Sequence, residues 1–379
     1  MEPIYLDHAA ATPMHPEALA RMLPYMTKHY GNPSSIHSFG REALAAVAEA
    51  RELIGAALKV SGRRVLFTSG GTESDNLAIH GLAARRGYAG HVITAKTEHH
   101  AVLHACERLE ELGVQVTYLP VDATGRVKPE EVRQAIRPDT FLITIMYANN
   151  ETGTIQPMKE IGQIAREAGV LFHTDAVQAF GTVPIDLNAL GADLVSLSAH
   201  KIGGPKGVGA LVVGEKVVLQ PLLYGGTQER SRRAGTENVP GIVGFGAVVG
   251  LTVSRLAEKR AYLESLRTLL LEELAKHLPQ EAFHVNGHPS ERLPHIVNIS
   301  FPGVSAETLL MNLDLAGVAA ASGSACTSGS LEPSHVLEAM KVGADCVRSA
   351  IRFSFAPVTT KQEIVRAAEI VATFVRRHT

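Results

Sequence analysis

Asp175 and Lys201 are the residues of this sequence best placed to do chemistry. The run Val170-Leu171-Phe172-His173-Thr174-Asp175 is apolar, strand-like and ends in a carboxylate. A second such run, Asp193-Leu194-Val195-Ser196-Leu197, leads into Ser198-Ala199-His200-Lys201 and at once into Ile202-Gly203-Gly204-Pro205. Glycines and a proline there force a tight turn and let the backbone approach a ligand closely. An amine at one strand end and a carboxylate at its neighbour suit pyridoxal 5'-phosphate (PLP). The lysine forms a Schiff base, and the aspartate keeps the pyridine nitrogen protonated so that the ring accepts electrons. A buried Asp–Lys ion pair under a glycine-rich turn is the simpler alternative for these two residues alone.

Other residue types point to the same region. Gly70-Gly71-Thr72-Glu73-Ser74 follows a strand-like run and opens a helical one. Free N–H groups at a helix start cradle a phosphate, although a plain N-cap, Thr72 to Asp75, accounts for the same residues. His99, at a strand-to-helix turn, could stack on a pyridine ring and move a proton near neutral pH. His99 and His100 have no third ligand at suitable spacing, so no metal site is expected. Asn149-Asn150-Glu151 reads as a turn with Asx chemistry. Arg352 interrupts the apolar strand 350–354 and needs an anionic partner, either a structural carboxylate or that of a substrate.

Three cysteines, Cys106, Cys326 and Cys346, are too few and too odd in number for a disulfide scaffold, and they fit a reducing compartment. Cys106 and Cys346 read as small buried hydrophobes. Cys326 differs, because Ser322-Gly323-Ser324-Ala325 and Thr327-Ser328-Gly329-Ser330 surround it. Sequence of that kind builds no core, so Cys326 is expected on an exposed, mobile loop that ends at Pro333.

The elements that must position these residues alternate. Residues 63–68, 91–94, 115–119, 141–147, 170–175, 194–197 and 208–213 are short β-branched runs, with helical periodicity between several of them. That pattern predicts an α/β fold, a mostly parallel seven-stranded sheet covered by helices, with ligands beyond the carboxyl ends of the strands. An amphipathic helix is expected over 38–59 and one long helix from Pro240 toward His277. Its middle, near Ala257, places the boundary between a large domain (to 256) and a smaller α/β domain (257–379). In the latter, 295–301 and 347–355 read as strands. The 379 residues hold 45% hydrophobic and 20% charged side chains with a net charge of −2, which argues against a nucleic-acid or anionic-membrane binder. With no spanning apolar run and no signal-peptide pattern, a cytoplasmic protein is expected.

The chain resembles the cysteine desulfurases of the NifS/IscS type, in the class V branch of fold-type-I PLP enzymes. Four strings carry the likeness in the family's order: Thr68–Asn76, Ser198–Gly209, Arg233–Asn238 and Ser322–Ser328. The resemblance implies that residues 1–13 pack with the smaller domain, leaving 14–256 as the large one. It also implies that Gly71, Thr72, Ser198 and His200 hold the PLP phosphate and that Thr236 reaches it from a second subunit, making a homodimer with shared sites. It assigns His99 to the ring face, Asn150 to the cofactor and substrate, Gln178 to the phenolic oxygen and Arg352 to the α-carboxylate of L-cysteine. Lys201 would carry PLP, and Cys326 would accept sulfur as a persulfide while alanine leaves. The sulfur would pass to an iron–sulfur scaffold or a thiolation enzyme. Within the same branch, a selenocysteine lyase or a class V aminotransferase is the alternative. The chain stops soon after its last helix, without the longer tail by which housekeeping members dock the scaffold, so a dedicated NifS-like role is equally expected.

Overall fold

The computed structural model describes residues 2–323 and 332–377. Cys326 lies outside the described residues. The strands, in chain order, are β1 (Ile4–Tyr5), β2 (Val65–Thr68), β3 (His91–Ala95), β4 (Gln115–Leu119), β5 (Thr140–Thr144), β6 (Leu171–Asp175), β7 (Leu194–Ser198), β8 (Gly209–Val213), β9 (His284–Asn286), β10 (Ile296–Ser300), β11 (Val318–Ala319) and β12 (Ala350–Ser354).

Seven of these form one sheet in the order β2-β8-β7-β6-β5-β3-β4. All neighbours are parallel except β8, which runs antiparallel to both β2 and β7. The strands are apolar almost residue by residue because both faces are covered. Phe172, Ile143, Val195 and Leu197 pack on one face with Ile54, Ile161 and Phe245 from helices Ser38–Ala57, Met158–Ala168 and Val239–Ser254. Leu66, Val92, Leu142 and Leu211 pack on the other with Leu77, Leu82 and Val102 from helices Gly71–Arg85 and His100–Glu111. In β6 and β7, Asp175 pairs in register with Ser196, so both strands end on the same edge.

A second core surrounds the antiparallel sheet β12-β10-β9, covered by helices Leu256–His277, Ala306–Leu315 and Lys361–Val375. β1 joins it from the other end of the sequence by pairing with β11, Ile4 opposite Val318, and Ile4 and Leu6 are buried there.

Three expectations are corrected. The single helix toward His277 is two helices, Val239–Ser254 and Leu256–His277, bent by 78° at Arg255. The first is drawn into the sheet's core and the second into the other, so each follows a different surface. Residues 347–349 are not strand, since helix Ala344–Arg348 precedes β12, and residues 63–64 belong to a 3-10 turn ahead of β2. Among the described residues, no single helix is long and apolar enough to cross a membrane.

The segment after β8 is held by one buried ion pair. Glu229, Arg230 and Ser231 take left-handed φ values of 46°, 58° and 61°, which cost roughly 1–2 kcal/mol each for residues with a Cβ. Glu229 compensates by taking both Arg51 nitrogens, at 2.6 and 2.8 Å, and the Phe67 N–H at 3.1 Å. Arg51→Met leaves that carboxylate buried and unpaired, and should destabilise the fold by about 3–5 kcal/mol in urea unfolding. The double variant Arg51→Met/Glu229→Met should regain much of the loss. A single variant with an unchanged midpoint would show that the pair does not hold the segment.

Candidate active site

At the carboxyl end of β6, Asp175 is buried and its Oδ1 accepts the Val177 N–H at 2.8 Å. Burial raises its carboxyl to about 6, opposed by that hydrogen bond and by the charge of Lys201. Two further carboxyl groups sit behind it. Asp75, in helix Gly71–Arg85, is pushed well above the usual carboxylate range by burial and then by Asp175. Glu98 is raised well above it too, chiefly by burial, although its oxygens accept the Met146 N–H at 2.8 and 3.1 Å. His173 fills the space between strands, with Nδ1 2.8 Å from Thr144 Oγ1 and Nε2 3.0 Å from Ser196 Oγ. Burial lowers its ring to about 3, so it brings no positive charge to Asp75. Charge in this pocket is therefore easiest to keep on Asp175, the member facing a cation.

Lys201 sits on the 3-10 turn Ala199–Lys201 that ends β7. Its Nζ donates to the carbonyls of Ala9 at 2.6 Å and Ala10 at 2.9 Å. Burial and then Arg352 lower the amine to about 8, with Asp175 and Asp7 opposing. The N-terminal residues thus cross the site. Ala9 also receives Gln178 Nε2 at 3.0 Å, and Thr12 Oγ1 donates to the His200 carbonyl at 2.8 Å.

Gly71 opens its helix directly against this edge. A Cβ there would lie 2.7 Å from Val177 Cγ2 and 3.9 Å from Ser198 Cβ, so the N-terminus abuts both strand ends. Ser198 Oγ lies 2.8 Å from His200 Nδ1, and burial lowers that imidazole to about 4. Thr72 is exposed on the first turn. Helix-start N–H groups, a hydroxyl and an imidazole side by side suit a phosphate.

His99 caps helix His100–Glu111 with its Nδ1 accepting the Ala101 N–H at 3.0 Å, which fixes its ring plane. Burial, followed by Lys201 and the neighbouring histidines, lowers it to about 4. A cavity of about 380 Å³ opens beside it, lined by Thr72, Asn76, His80, His100 and His104. His100 stands 5.0 Å from His104 and 4.8 Å from His335, ring centre to ring centre. Among the described residues, no three histidine, cysteine or carboxylate side chains are arranged to hold a metal ion.

Arg352 is at the site but engaged. Its Nη2 donates to Asp7 Oδ1 at 2.8 Å, its Nη1 to the Asn150 carbonyl at 3.0 Å, and its Nε is buried without a partner. Asn150 meets it by backbone, on a turn built by the Asn149 side chain. Thr236 is exposed. Asp7, Asp75 and Glu98 escaped the sequence reading. Asp7, beside the small-residue run His8-Ala9-Ala10-Ala11, was the most readable of them. Cys106 is fully buried and Cys346 half-buried on a short helix.

These residues fit pyridoxal phosphate: a buried carboxylate for the ring nitrogen, a partly neutral amine, a flat imidazole beside them and a phosphate cradle at the helix start. Sheet and site together define a fold-type-I PLP enzyme. The description Aminotransferase class-V matches residues 4–366, and the chain belongs to that family. A Bacillus subtilis (strain 168) protein, named provisionally as cysteine desulfurase IscS 1, is 52% identical over the whole of both chains. A Methanosarcina thermophila protein named cysteine desulfurase IscS is 50% identical, covering 99% of this chain and 92% of its own. A solved NifS-like protein superposes with a TM-score of 0.92 at 36% identity, over 99% of this chain and 100% of its own.

Only the neutral amine of Lys201 can capture a carbonyl, so cofactor capture should be slow below its titration point and level off above it. Mixing cofactor-free protein with PLP across pH should give an inflection near 8, against roughly 10.4 for an unperturbed lysine. A rate still climbing past pH 10 would show that the site does not depress this amine.

Proposed function

We propose that this chain is a cysteine desulfurase, converting L-cysteine to L-alanine and taking the sulfur onto Cys326. The reading is carried by 50% identity, across nearly the full length of both chains, to a protein of that name. A solved structure titled SspA in complex with cysteine, 37% identical with a TM-score of 0.83 over 94% of this chain and 100% of its own, supports the substrate.

When bound, PLP supplies an electron sink in conjugation with the substrate's α-carbon. Asp175 would hold the ring nitrogen protonated, Gln178 would serve the phenolic oxygen, and Gly71, Thr72, Ser198 and His200 would hold the phosphate. Arg352, with Asn150, grips the substrate carboxylate and shares its guanidinium with Asp7. Lys201, lowered to about 8 chiefly by burial, moves the α-proton. His99, whose Nδ1 accepts the Ala101 N–H, has Nε2 left to exchange a proton with the thiol. The Cys326 thiolate attacks the substrate sulfur: an S–S bond forms, the Cβ–S bond breaks, and its electron pair stays on Cβ, which takes a proton to become a methyl group. Sulfur is oxidised and carbon reduced within the same step, so no outside oxidant is required.

Thr236 is proposed to complete the phosphate site of a second copy, in a homodimer. The acceptor is proposed to be an iron–sulfur scaffold or a thiolation enzyme, in the cytoplasm. A lyase or aminotransferase would have no use for Cys326.

Cys326→Ser replaces a thiolate with a hydroxyl that stays protonated at neutral pH. It should keep the cofactor's visible absorption and its change on adding cysteine, yet release almost no alanine, while Cys106→Ser and Cys346→Ser remain active. Alanine release by Cys326→Ser at the wild-type rate would falsify the sulfur transfer.

Arg352→Ala should weaken cysteine binding by about 1.5–3 kcal/mol with normal cofactor content. Asp7→Asn removes the competing carboxylate and should leave KM equal or lower. Matching KM values in Arg352→Ala and wild type would take Arg352 out of the substrate site.

A further inference from the structure

The turn Asn149-Asn150-Glu151 does more than present Asn150 to Arg352. Glu151 is 2% exposed, and its carboxylate meets the residues on both sides of the segment 324–331. On the far side, Ser334 Oγ donates to Glu151 Oε2 at 2.5 Å. The same hydroxyl accepts the Leu337 N–H at 3.1 Å, capping helix His335–Ala339. On the near side, the Glu151 carboxylate occupies the space in which a Cβ at position 323 would stand, so only glycine fits against it. Both ends are tied to the site by second contacts. Ala321 exchanges backbone hydrogen bonds with Arg352 at 3.2 and 2.6 Å, and His335 Nε2 lies 3.0 Å from the carbonyl of Glu98, the neighbour of His99. The described residues on the two sides of segment 324–331 are therefore fixed, one to the strand of Arg352 and the other to the turn of His99, with one carboxylate touching both attachments.

We propose that Glu151 is a positioning residue for Cys326, holding Gly323 and Ser334, on the two sides of segment 324–331, at a fixed separation. The proposal rests on the reading that Cys326 takes the sulfur. A carboxylate that merely filled the core would affect folding and cofactor content in step with activity. A clamp affects only the thiol.

Glu151→Ala and Ser334→Ala should each fold with wild-type cofactor absorption and the same spectral change on adding cysteine, and any drop in thermal midpoint from the lost helix cap should not track the rate. Alanine release and sulfur on Cys326, read by mass spectrometry, should fall roughly 10- to 100-fold, the span covered by one charge-assisted hydrogen bond. Glu151→Gln, which still accepts from Ser334, should recover most of the rate. If Glu151→Ala does not fold, Ser334→Ala carries the test from the opposite side. Wild-type alanine release by both alanine variants would overturn the clamp, as would a loss of the cysteine-induced spectral change in parallel with the rate. Wild-type protein that releases no alanine would instead count against the desulfurase reading. In that case the alkylation rate of Cys326 by iodoacetamide still decides the clamp: a difference between wild type and Glu151→Ala supports it, and equal rates sink it.

Discussion

One constraint organises the catalytic edge of the sheet: a negative charge must persist in a place that water does not reach. Asp175 has an N–H from Val177 and the Lys201 cation near it, while Asp75 and Glu98 behind it are raised by burial and by the charge of Asp175. Three carboxyl groups in one dry pocket cannot all ionise, so their surroundings rank them. The ranking favours charge where a protonated ring nitrogen would sit and makes the other two harder to ionise. Neutral His173, lodged between Thr144 and Ser196, preserves it by offering Asp75 no cation.

The same dryness acts on the cation. Lys201 loses part of its proton affinity through burial and its neighbour Arg352, while the Ala9 and Ala10 carbonyls keep its amine oriented. Arg352 in turn is held by Asp7 and by the backbone of Asn150. Charges at the site thus form a chain of dependence from β6 through β7 to β12, and the second core serves chemistry by delivering its end.

The large sheet was readable because its strands are covered on both faces: runs such as Phe141–Ile143 and Leu194–Leu197 have no polar alternation to confuse with a helix. The lysine and aspartate were readable because strand ends and glycine turns mark them. Other features carry no local signal. The bend at Arg255 arises from two cores pulling one helical pattern in different directions. β1 and β11 are two residues each and exist only through their pairing. Asp7 as the partner of Arg352, and Asp75 and Glu98 behind Asp175, are meetings across the whole chain that no spacing in the sequence announces. Cys326 was legible by composition alone and lies outside the described residues.

The pairing of Ile4 with Val318 also has a consequence for the order of assembly. During synthesis, the sheet with Asp175 and Lys201 can form long before residue 318 leaves the ribosome, and domains generally fold as their residues emerge. Strand β1, a few residues ahead of Ala9 and Ala10, has no partner until then, and its docking closes almost the entire chain into one loop, an entropic cost met only late. A nascent chain can therefore own the reactive amine and the carbonyls that orient it before it owns Arg352, and the site becomes whole only when β12 brings that guanidinium to Asp7.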